Sequence, residues 1–267
     1  MSILKWVGGK KQLLNELDNH FPETVINYYE PFGGSLTVTL RVFERYPKAN
    51  IYVADINPRL TNMYLQLKKN PDRFIEAVKL LIELDEDYGT MRERFNTTNS
   101  KLEEAILMFI LNKKCFNGLY RVNKSGKFNV PQGKNSICWE NQVDNLQTFS
   151  RFVGSPRVHI STGGFKEFFD KFHPGEGDLV YVDPPYWDTF TAYDGSGFTR
   201  EDQEELFRLC ASFESTVICS NSDTDMIHQL YGTVFDIHVL NVRRSVNRDA
   251  EKRRGTEVLM MKKNLPQ

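Results

Sequence analysis

Short β-branched segments that alternate with helical ones restrict most strongly how this chain can fold. Seven segments have the length and composition of strands, and several end in Gly, Asp or Asn: 25–29, 51–54, 158–161, 179–182, 217–220, 235–242 and 258–262. Helical patterns follow several of them, at 36–43, 165–172 and 199–213. This alternation predicts an α/β fold with a mostly parallel sheet and helices on both faces. The short link between the last two strands predicts an antiparallel hairpin, at the sheet edge or beside the last parallel strand.

The middle of the chain has a different pattern. Helical segments follow one another at 60–69, 71–84, 87–95 and 102–112, and a loop rich in Asn, Gly and Lys then runs to about residue 145. This change predicts a mainly helical insertion within the α/β domain, with the sheet resuming near residue 150. The predicted division is a first part of the α/β domain at 1–57, the insertion at 58–145 and the second part at 146–267.

The composition is that of an ordinary enzyme rather than a membrane or disulfide-rich protein. Hydrophobic residues make up 40% of the chain and charged residues 26%, and no run approaches the roughly 18 apolar residues of a membrane span. The first residues have no pattern of a secretory signal. None of the four cysteines forms a CxxC pair, and two lie in apolar contexts. We expect a reducing cytoplasm, with neither a zinc site nor a disulfide framework.

The charge distribution leaves room for a nucleic-acid partner although the net charge is only −1. Local patches decide such binding, rather than the average over the chain. One basic cluster consists of Lys113, Lys114, Arg121, Lys124, Lys127 and Lys134, and a second of Arg243, Arg244, Arg248, Lys252, Arg253 and Arg254. The alternative for either cluster is a solvated loop without a partner.

The sequence Asp183-Pro184-Pro185-Tyr186 directly follows an apolar strand, at the end where open α/β sheets bind ligands. The two prolines stiffen the backbone and lack N–H donors, so the turn keeps carbonyl acceptors available. An exocyclic amino group has two hydrogens, which Asp183 and the Pro184 carbonyl could accept while Tyr186 stacks on the base. The alternative is a turn that merely ends a strand.

Two further segments indicate a nucleoside-containing cofactor. Gly33-Gly34 ends one strand and opens a helix, which lets a ligand approach the backbone closely. Asp55 ends the second strand about twenty residues later, where an acid can bind ribose hydroxyls. A structural glycine turn is the lesser alternative. The N-terminal segment 4–10 has Gly-Gly flanked by lysines; its composition favours a flexible segment, and a loop that contacts an anionic ligand is the alternative.

The segment 116–123 combines aromatic, amide and arginine side chains, and 128–131 continues the mixture. Arginine can read guanine with two hydrogen bonds, asparagine can contact adenine or phosphate, and an aromatic ring can wedge into a base stack. The alternative is an ordinary hairpin around 123–126 with satisfied polar groups.

These segments, in this order, resemble the Dam-type DNA adenine-N6 methyltransferases of the D12 class (α-group, DPPY motif), found in bacteria and their phages. The matching segments cover nearly the whole chain: 5–10, 30–34, 54–57, 117–121, 128–131, 183–186, 220–221 and 243–245. The resemblance implies a Rossmann-like methyltransferase fold whose helical insertion is a DNA-binding target-recognition domain. It also implies methyl transfer from S-adenosylmethionine to N6 of an adenine flipped out of double-stranded DNA, within the sequence GATC.

The resemblance assigns roles to residues on the cofactor side. S-adenosylmethionine would be contacted by Trp6, Lys10, Asp55 and Asp183, in a pocket lined by Phe32, Gly33, Gly34, Ile56 and Phe165. The adenine would be held by Asp183, Pro184 and Tyr186. Asp183 is expected to accept a hydrogen bond rather than act as a strong base, because an ordinary carboxylate cannot deprotonate an aromatic amine. No metal is expected.

The resemblance also implies the DNA contacts, which would be made by Lys5, Phe116, Asn117, Leu119, Arg121 and Pro131. Arg121 would read a guanine, and Leu119 and Pro131 would make apolar contacts to bases. Asn117 would lie at the space that the flipped base leaves. Phe116 would be the intercalating wedge, where the best-known relatives have Tyr; stacking survives that change and a hydroxyl contact is lost.

Other chemistries fit the residues less well. Cytosine-C5 transfer needs a nucleophilic cysteine, normally after proline, and no cysteine here follows proline. Cytosine-N4 enzymes usually have Ser at the position of Asp183, and amino-group methylation of protein or RNA more often uses Asn there. A nicotinamide dehydrogenase leaves the double proline unexplained. A DNA-binding protein with an inactive methyltransferase fold stays open until turnover is measured. The expected protein is a cytoplasmic monomer, either a solitary regulator or the partner of a cognate restriction endonuclease.

Overall fold

The computed structural model describes residues 2–134, 136–186, 197–243 and 254–263. Within these ranges seven strands form one sheet: β1 (Asn27–Glu30), β2 (Asn50–Asp55), β3 (Val158–Thr162), β4 (Leu179–Val182), β5 (Thr216–Ser222), β6 (Phe235–Arg243) and β7 (Arg254–Lys262). Their order across the sheet is β3-β2-β1-β4-β5-β7-β6. All seven predicted strands are therefore present, with ends shifted by up to four residues.

The first five strands are parallel, and the last two form a reversed hairpin. β7 lies between β5 and β6 and is antiparallel to both. This arrangement confirms the predicted α/β fold of the methyltransferase type and the predicted antiparallel hairpin, which has β6 at the sheet edge and β7 beside the last parallel strand. The order of the strands reverses between β1 and β4, which are neighbours in space. Ligands of open α/β sheets bind in the crevice at such a point, so the fold alone predicts a ligand site at the carboxyl ends of β1 and β4.

The helices within the described residues surround this sheet. They are α1 (Leu14–His20), α2 (Thr37–Arg45), α3 (Pro58–Lys69), α4 (Pro71–Glu83), α5 (Tyr88–Thr97), α6 (Lys101–Lys114), α7 (Glu140–Gly154), α8 (Phe165–Lys171), α9 (Arg200–Ser212) and α10 (Asp225–Tyr231). The predicted N-cap Thr199 forms a full capping box with Asp202 at the start of α9. Asn57 caps α3, whose first residue is Pro58, a favoured residue there.

The side chains of each strand alternate between two apolar cores, one on each face of the sheet. Tyr28 belongs to the core shared with the helical insertion, and Tyr29 to the core beneath α8, α9 and α10. Tyr181 and its neighbour Val182 divide in the same way. Both faces of the sheet are thus covered, as the near-continuous apolar runs of its parallel strands require.

The helical insertion consists of α3 to α6. Its centre is α6, in which every residue from 105 to 112 is buried. α6 packs against α3, α4 and α5, and α3 also contacts β3. The buried side chains of the insertion continue without a break into the core of one sheet face. The residue boundaries 1–57, 58–145 and 146–267 remain a prediction.

Three helices were not predicted from the sequence. α7 starts at residue 140, so the predicted loop to about 145 is too long. Its buried residues Leu146, Phe149, Phe152 and Val153 have helical spacing, but its N-cap position, Trp139, makes no side-chain cap and therefore gives no start signal. α1 and α10 have only seven residues each, too few to show a clear period.

The N-terminal segment is anchored, so the expectation of a flexible segment is wrong. Ile3, Leu4 and Lys10 are buried, and the Ser2 hydroxyl donates to the Ser35 carbonyl at 2.9 Å. Three of the four cysteines are buried rather than two; the exposed one is Cys138. No helix in the described part of the chain is long and apolar enough to cross a membrane.

Candidate active site

A cavity of about 970 Å³ opens where the strand order reverses. Its walls come from the N-terminal segment and from the turns that follow β1, β2, β3 and β4. The lining includes Trp6, Lys10, Glu30, Phe32, Gly33, Gly34, Asp55, Ile56, Phe165, Asp183, Pro184 and Tyr186. The carboxyl ends of adjacent parallel strands thus bring together segments that lie far apart in the sequence.

An ion pair lies at the inner wall of the cavity. The Lys10 ammonium is 2.7 Å from Oδ2 of Asp183 and also donates to the Gly8 carbonyl at 2.8 Å. Burial raises the pKa of Asp183, and the Lys10 charge opposes that rise. Oδ1 of Asp183 is buried and has no hydrogen-bond partner among the described residues. The carboxylate therefore keeps one acceptor for a donor that enters the cavity.

Tyr186 is held at both its ring and its hydroxyl. The Lys10 ammonium lies 4.9 Å from the ring centroid, and the hydroxyl donates to Oε2 of Glu257 at 2.8 Å. Burial raises the pKa of the Tyr186 phenol, and the carboxylates of Asp183 and Glu257 add to the rise, so the group stays a neutral donor. Because Glu257 lies on β7, the reversed hairpin contributes directly to this site.

The turn after β1 is joined to the acid at the end of β2. The backbone N–H of Gly34 donates to one Asp55 oxygen at 2.9 Å, and that of Asn57 donates to the other at 2.8 Å. Burial raises the pKa of Asp55, and these two hydrogen bonds oppose the rise. The Asp55 carboxylate is thereby fixed at the cavity wall, and its remaining lone pairs can accept hydroxyl donors.

The two glycines of this turn serve different purposes. A Cβ on Gly33 would lie 2.5 Å from the Val53 side chain, so close contact between the turn and β2 requires glycine there. Gly34 has a φ of +47°, and a Cβ would approach the Trp6 ring at 3.1 Å. Gly33 is thus demanded by internal contact, and Gly34 by its backbone conformation and by the tryptophan.

Aromatic rings form one wall of the cavity. Phe32 and Phe165 lie nearly parallel, with centroids 5.8 Å apart, and Phe198 contacts both. On the other side of the cavity, the ring centroid of Trp6 lies 6.0 Å from that of Tyr120, in the segment 116–123. Flat apolar walls that face a fixed carboxylate suit a nucleoside, whose base is apolar on its faces and whose ribose is polar.

Glu30 is a buried acid at the end of β1. Its Oε2 accepts hydrogen bonds from the Tyr28 hydroxyl at 2.7 Å and from the Thr39 hydroxyl. Burial raises the pKa of Glu30 to about 8, with a smaller contribution from the charge of Asp183 in the same direction. Glu30 is therefore mainly protonated at neutral pH, which limits the negative charge around Asp183.

The turn Phe116–Gly118 is joined to the N-terminal segment by Asn112. This buried amide accepts from the Lys5 N–H at 2.9 Å and donates to the carbonyls of Lys5 and Gly118, at 2.7 and 3.1 Å. Gly118 has a φ of +67° and lies against Lys5 so closely that no Cβ would fit. The turn leaves Phe116 exposed at 39% of its surface.

The segment after this turn is a hairpin whose polar groups are largely satisfied. The Asn123 side chain accepts from the N–H groups of Ser125 and Lys127, as the hairpin alternative predicts. Arg121 is nonetheless held at the cavity, where its Nε donates to the Asn129 side chain at 2.8 Å. The guanidinium is therefore oriented before any partner binds.

The sequence pattern of the D12 class N6 adenine-specific DNA methyltransferases matches residues 6–246. The chain belongs to this family. It is 34% identical to the Retron Ec67 DNA adenine methylase of Escherichia coli, over 97% of this chain and 90% of that protein. It is 33% identical to the type II methyltransferase M.MjaIII of Methanocaldococcus jannaschii, over 97% and 98% of the two chains. The DNA adenine methylase of Escherichia coli K12 is 30% identical, over 97% and 94%.

The D12 class identifies the chain as an adenine-specific DNA methyltransferase and implies S-adenosylmethionine as the methyl donor. The residues present fit that group. The aromatic wall suits its adenine, and the Asp55 carboxylate suits its ribose hydroxyls. No group of three or more His, Cys, Asp or Glu side chains in the described part of the chain is arranged to hold a metal ion.

The structure of this D12 methyltransferase brings the predicted cofactor and catalytic residues together, since all of them line the same cavity. The predicted DNA contacts form a second group. Arg121 lies at the cavity, whereas Lys5, Phe116, Asn117, Leu119 and Pro131 lie outside its lining. Of these five, Leu119 is half-buried and the others are exposed.

The two basic clusters differ from the sequence picture. Lys114 is buried and paired with Asp85 at 2.9 Å, so it is not a freely available cation. Burial, with the nearby charge of Lys5, lowers the pKa of Lys113 to about 8. In the second cluster, positions 244–253 lie outside the described residues.

Sequence reasoning missed three residues of this D12 site. Phe198 lies directly before a predicted helix, and only the fold brings it to Phe32. Asn112 ends the buried run 105–112 of α6, whose other seven residues are apolar; that contrast was an available signal. Glu257 gave no local signal, because its role depends on β7 lying beside β5.

Proposed function

We propose that this chain methylates N6 of an adenine flipped out of duplex DNA, within the sequence GATC, with Asp183, Pro184 and Tyr186 as the catalytic residues. The observation that carries this proposal is the paired and buried carboxylate of Asp183, with one oxygen bound to Lys10 and the other without a partner in the described residues. A buried acceptor without a donor is costly, so it marks a place for a ligand N–H.

The adenine is held by groups on one turn. Oδ1 of Asp183 accepts a hydrogen bond from one N6–H, and the Pro184 carbonyl accepts one from the other. The two prolines of this turn have no N–H groups that could compete as donors. Tyr186 stacks on the base opposite Lys10. The nitrogen lone pair is thereby turned away from both acceptors. Bound S-adenosylmethionine supplies an already activated sulfonium methyl group.

Asp183 acts by position and charge rather than as a strong base. Burial raises its pKa, but Lys10 stabilises the ionised form, which accepts without donating. Positive charge develops on N6 as the new bond forms, and a fixed carboxylate stabilises it in a dry site. As the bond between N6 and the methyl carbon forms, the bond from that carbon to the sulfonium sulfur breaks, so S-adenosylhomocysteine is left, and the surplus proton then passes from N6 to solvent. Trp6, Lys10, Phe32, Gly33, Gly34, Asp55, Ile56 and Phe165 form the cofactor side of the site.

The target sequence is the finer part of the proposal. Arg121, held by Asn129, presents a guanidinium for bidentate contact with guanine. Exposed Phe116 is the wedge that fills the stack when the adenine leaves, and Asn117, whose φ is +55°, follows it at the tip of the turn. Lys5, Leu119 and Pro131 complete the DNA-contacting surface. We assign GATC on the match of this loop to the Dam-type recognition segment.

We further propose a monomer that works either as a solitary regulator or beside a cognate restriction endonuclease. A single site can methylate each strand of a palindrome in turn, so no second copy is needed. The relative M.MjaIII is named a type II methyltransferase, a description typical of restriction–modification pairs.

The test is transfer of labelled methyl groups from S-adenosylmethionine to duplex oligonucleotides that contain GATC or one of its single-base variants. We expect label on the adenine of GATC alone, and none with Asp183→Asn. The matched control, Asp236→Asn, changes an exposed acid on β6 and should leave transfer intact. Transfer to adenine in another sequence would remove the GATC assignment and keep the reaction. Absence of transfer to any duplex would overturn the proposed function.

A further inference from the structure

Glu257 reaches the active site from a strand that runs against the others. It lies on β7, in register with Ser222 of β5 and Leu240 of β6. In a purely parallel sheet, a strand that follows β6 in the chain and lies beside β5 would have to come from a further crossover. The reversed hairpin instead places a carboxylate, 15% exposed, beside the turn that follows β4.

Four side chains form a closed set at this point. Oε2 of Glu257 accepts the Tyr186 hydroxyl at 2.8 Å and lies 4.0 Å from the Lys10 ammonium. Lys10 is in turn 2.7 Å from Asp183 and 4.9 Å from the Tyr186 ring centroid. The buried Lys10 ammonium thus lies near two carboxylates and one face of the Tyr186 ring.

A ring that only stacked on a base would need no hydroxyl contact. A phenyl group turns about two side-chain bonds, and a hydrogen bond at its tip removes most of that freedom. The bond here is to a charged acceptor, the stronger class of hydrogen bond. This hydrogen bond therefore fixes the position of the Tyr186 ring within the site.

We propose that Glu257 is a positioning residue for methyl transfer: by accepting the Tyr186 hydroxyl it holds the ring where the flipped adenine must stack. This inference rests on the proposed role of Tyr186 as the stacking residue. Loss of the contact leaves the ring present but differently placed, so the base is bound while its N6 is less well aligned. Misalignment lowers the rate of transfer more than it lowers affinity.

Four variants separate these effects: Glu257→Ala, Glu257→Gln, Tyr186→Phe and the double variant Glu257→Ala/Tyr186→Phe. The measurements are the single-turnover rate of methyl transfer at saturating S-adenosylmethionine and the KM for a GATC duplex. We expect Glu257→Ala and Tyr186→Phe each to lower the rate by about 10- to 100-fold, as for a lost hydrogen bond to a charged group. The KM for DNA should change by less than about threefold, because binding is retained.

The remaining two variants test the coupling. Glu257→Gln keeps an acceptor for the hydroxyl and should stay within about fivefold of the parent rate. The double variant should be no slower than Tyr186→Phe, since that substitution alone already removes the hydrogen bond to Glu257. Glu214→Gln, an exposed acid at the opposite end of the sheet, is the matched control and should not differ from the parent.

Three results would overturn the inference: a Tyr186→Phe rate equal to the parent, a double variant whose losses multiply, or a Glu257→Ala rate like that of Glu214→Gln. The Tyr186→Phe result decides alone if Glu257→Ala fails to fold, because that variant leaves every charge in place. A parent protein that methylates no DNA would instead count against the proposed function.

Discussion

At the residue scale, a single buried lysine determines the charge of the active site. Lys10 is 5% exposed and lies 2.7 Å from Asp183. Burial of both groups would be costly without the pairing, and the Lys10 charge opposes the rise that burial causes in the pKa of Asp183. The sequence indicates both residues but not their contact, because 173 positions separate them and neither local pattern refers to the other.

Replacing Lys10 should move the acid limb of the activity profile. Asp183 must be ionised to accept, so activity falls as the pH drops through its pKa. Lys10→Met removes the charge that opposes the rise in that pKa, so the loss should begin at a higher pH. The measurement is the single-turnover rate from pH 5 to 9 at saturating cofactor. Lys11→Met, an exposed neighbour, is the control; an unchanged acid limb in Lys10→Met would contradict the assignment.

Glu30 should make the protein less stable as the pH rises. Its pKa of about 8 in the folded protein exceeds the ordinary value of about 4.3, so between those values the folded state binds the extra proton. The free energy of unfolding then falls by at most about 1.4 kcal/mol per pH unit from this group. Urea unfolding of the parent and of Glu30→Gln from pH 5 to 8 checks this. The stability of Glu30→Gln relative to the parent should increase with pH; a constant difference would refute the shift.

At the scale of elements, the sequence predicts where each strand lies in the chain but not which strands are neighbours in the sheet. Each strand shows its own composition, which is why all seven were found. The insertion of β7 between β5 and β6 depends on pairing across the sheet, which no local pattern carries. α7 was missed because its apolar spacing lacks a cap, and the anchored N-terminal segment was missed because its contacts come from α6 and the turn after β1.

Asn112 joins the N-terminal segment, to which we assign cofactor contacts, to the turn Phe116–Gly118, to which we assign DNA contacts, so its loss should affect both ligands. Asn112→Ala leaves the Lys5 N–H and the Lys5 and Gly118 carbonyls without this partner. We expect the affinities for S-adenosylmethionine and for DNA each to fall by about tenfold, which corresponds to about 1.4 kcal/mol. Calorimetry for the cofactor and fluorescence anisotropy for DNA measure this. Asn15→Ala, in the exposed face of α1, is the control. A loss confined to one ligand would show that the two segments are not coupled through Asn112.

At the scale of the whole molecule, a protein of net charge −1 has to bind a polyanion. Such binding depends on where the positive charges are exposed. In the structure, the adjacent residues Lys113 and Lys114 have different surroundings. Lys114 is already neutralised by Asp85, whereas Lys113 lies near Lys5 and has its pKa lowered to about 8. The sequence groups them as one cluster, because an ion pair between residues 85 and 114 is set by the fold of the insertion.

The salt dependence of DNA binding should distinguish these two lysines. Each phosphate contact contributes about 0.9 to the slope of log affinity against log salt. At pH 7 we expect Lys113→Ala to lower that slope by about one contact, and Lys114→Ala to change it little. Anisotropy titrations of a GATC duplex between roughly 50 and 200 mM salt measure the slope. An equal effect of the two substitutions would contradict the assignment of Lys114 to a structural ion pair.

The reversed hairpin also has a consequence for synthesis of the protein. Lys10 is synthesised long before Glu257, and both belong to one set around Asp183. The parallel strands β1 to β5 can pair before β7 is made, but the turn after β4 then lacks the carboxylate that accepts the Tyr186 hydroxyl. We therefore expect the walls of the cavity to form before this hydrogen bond, which is completed when β7 enters between β5 and β6.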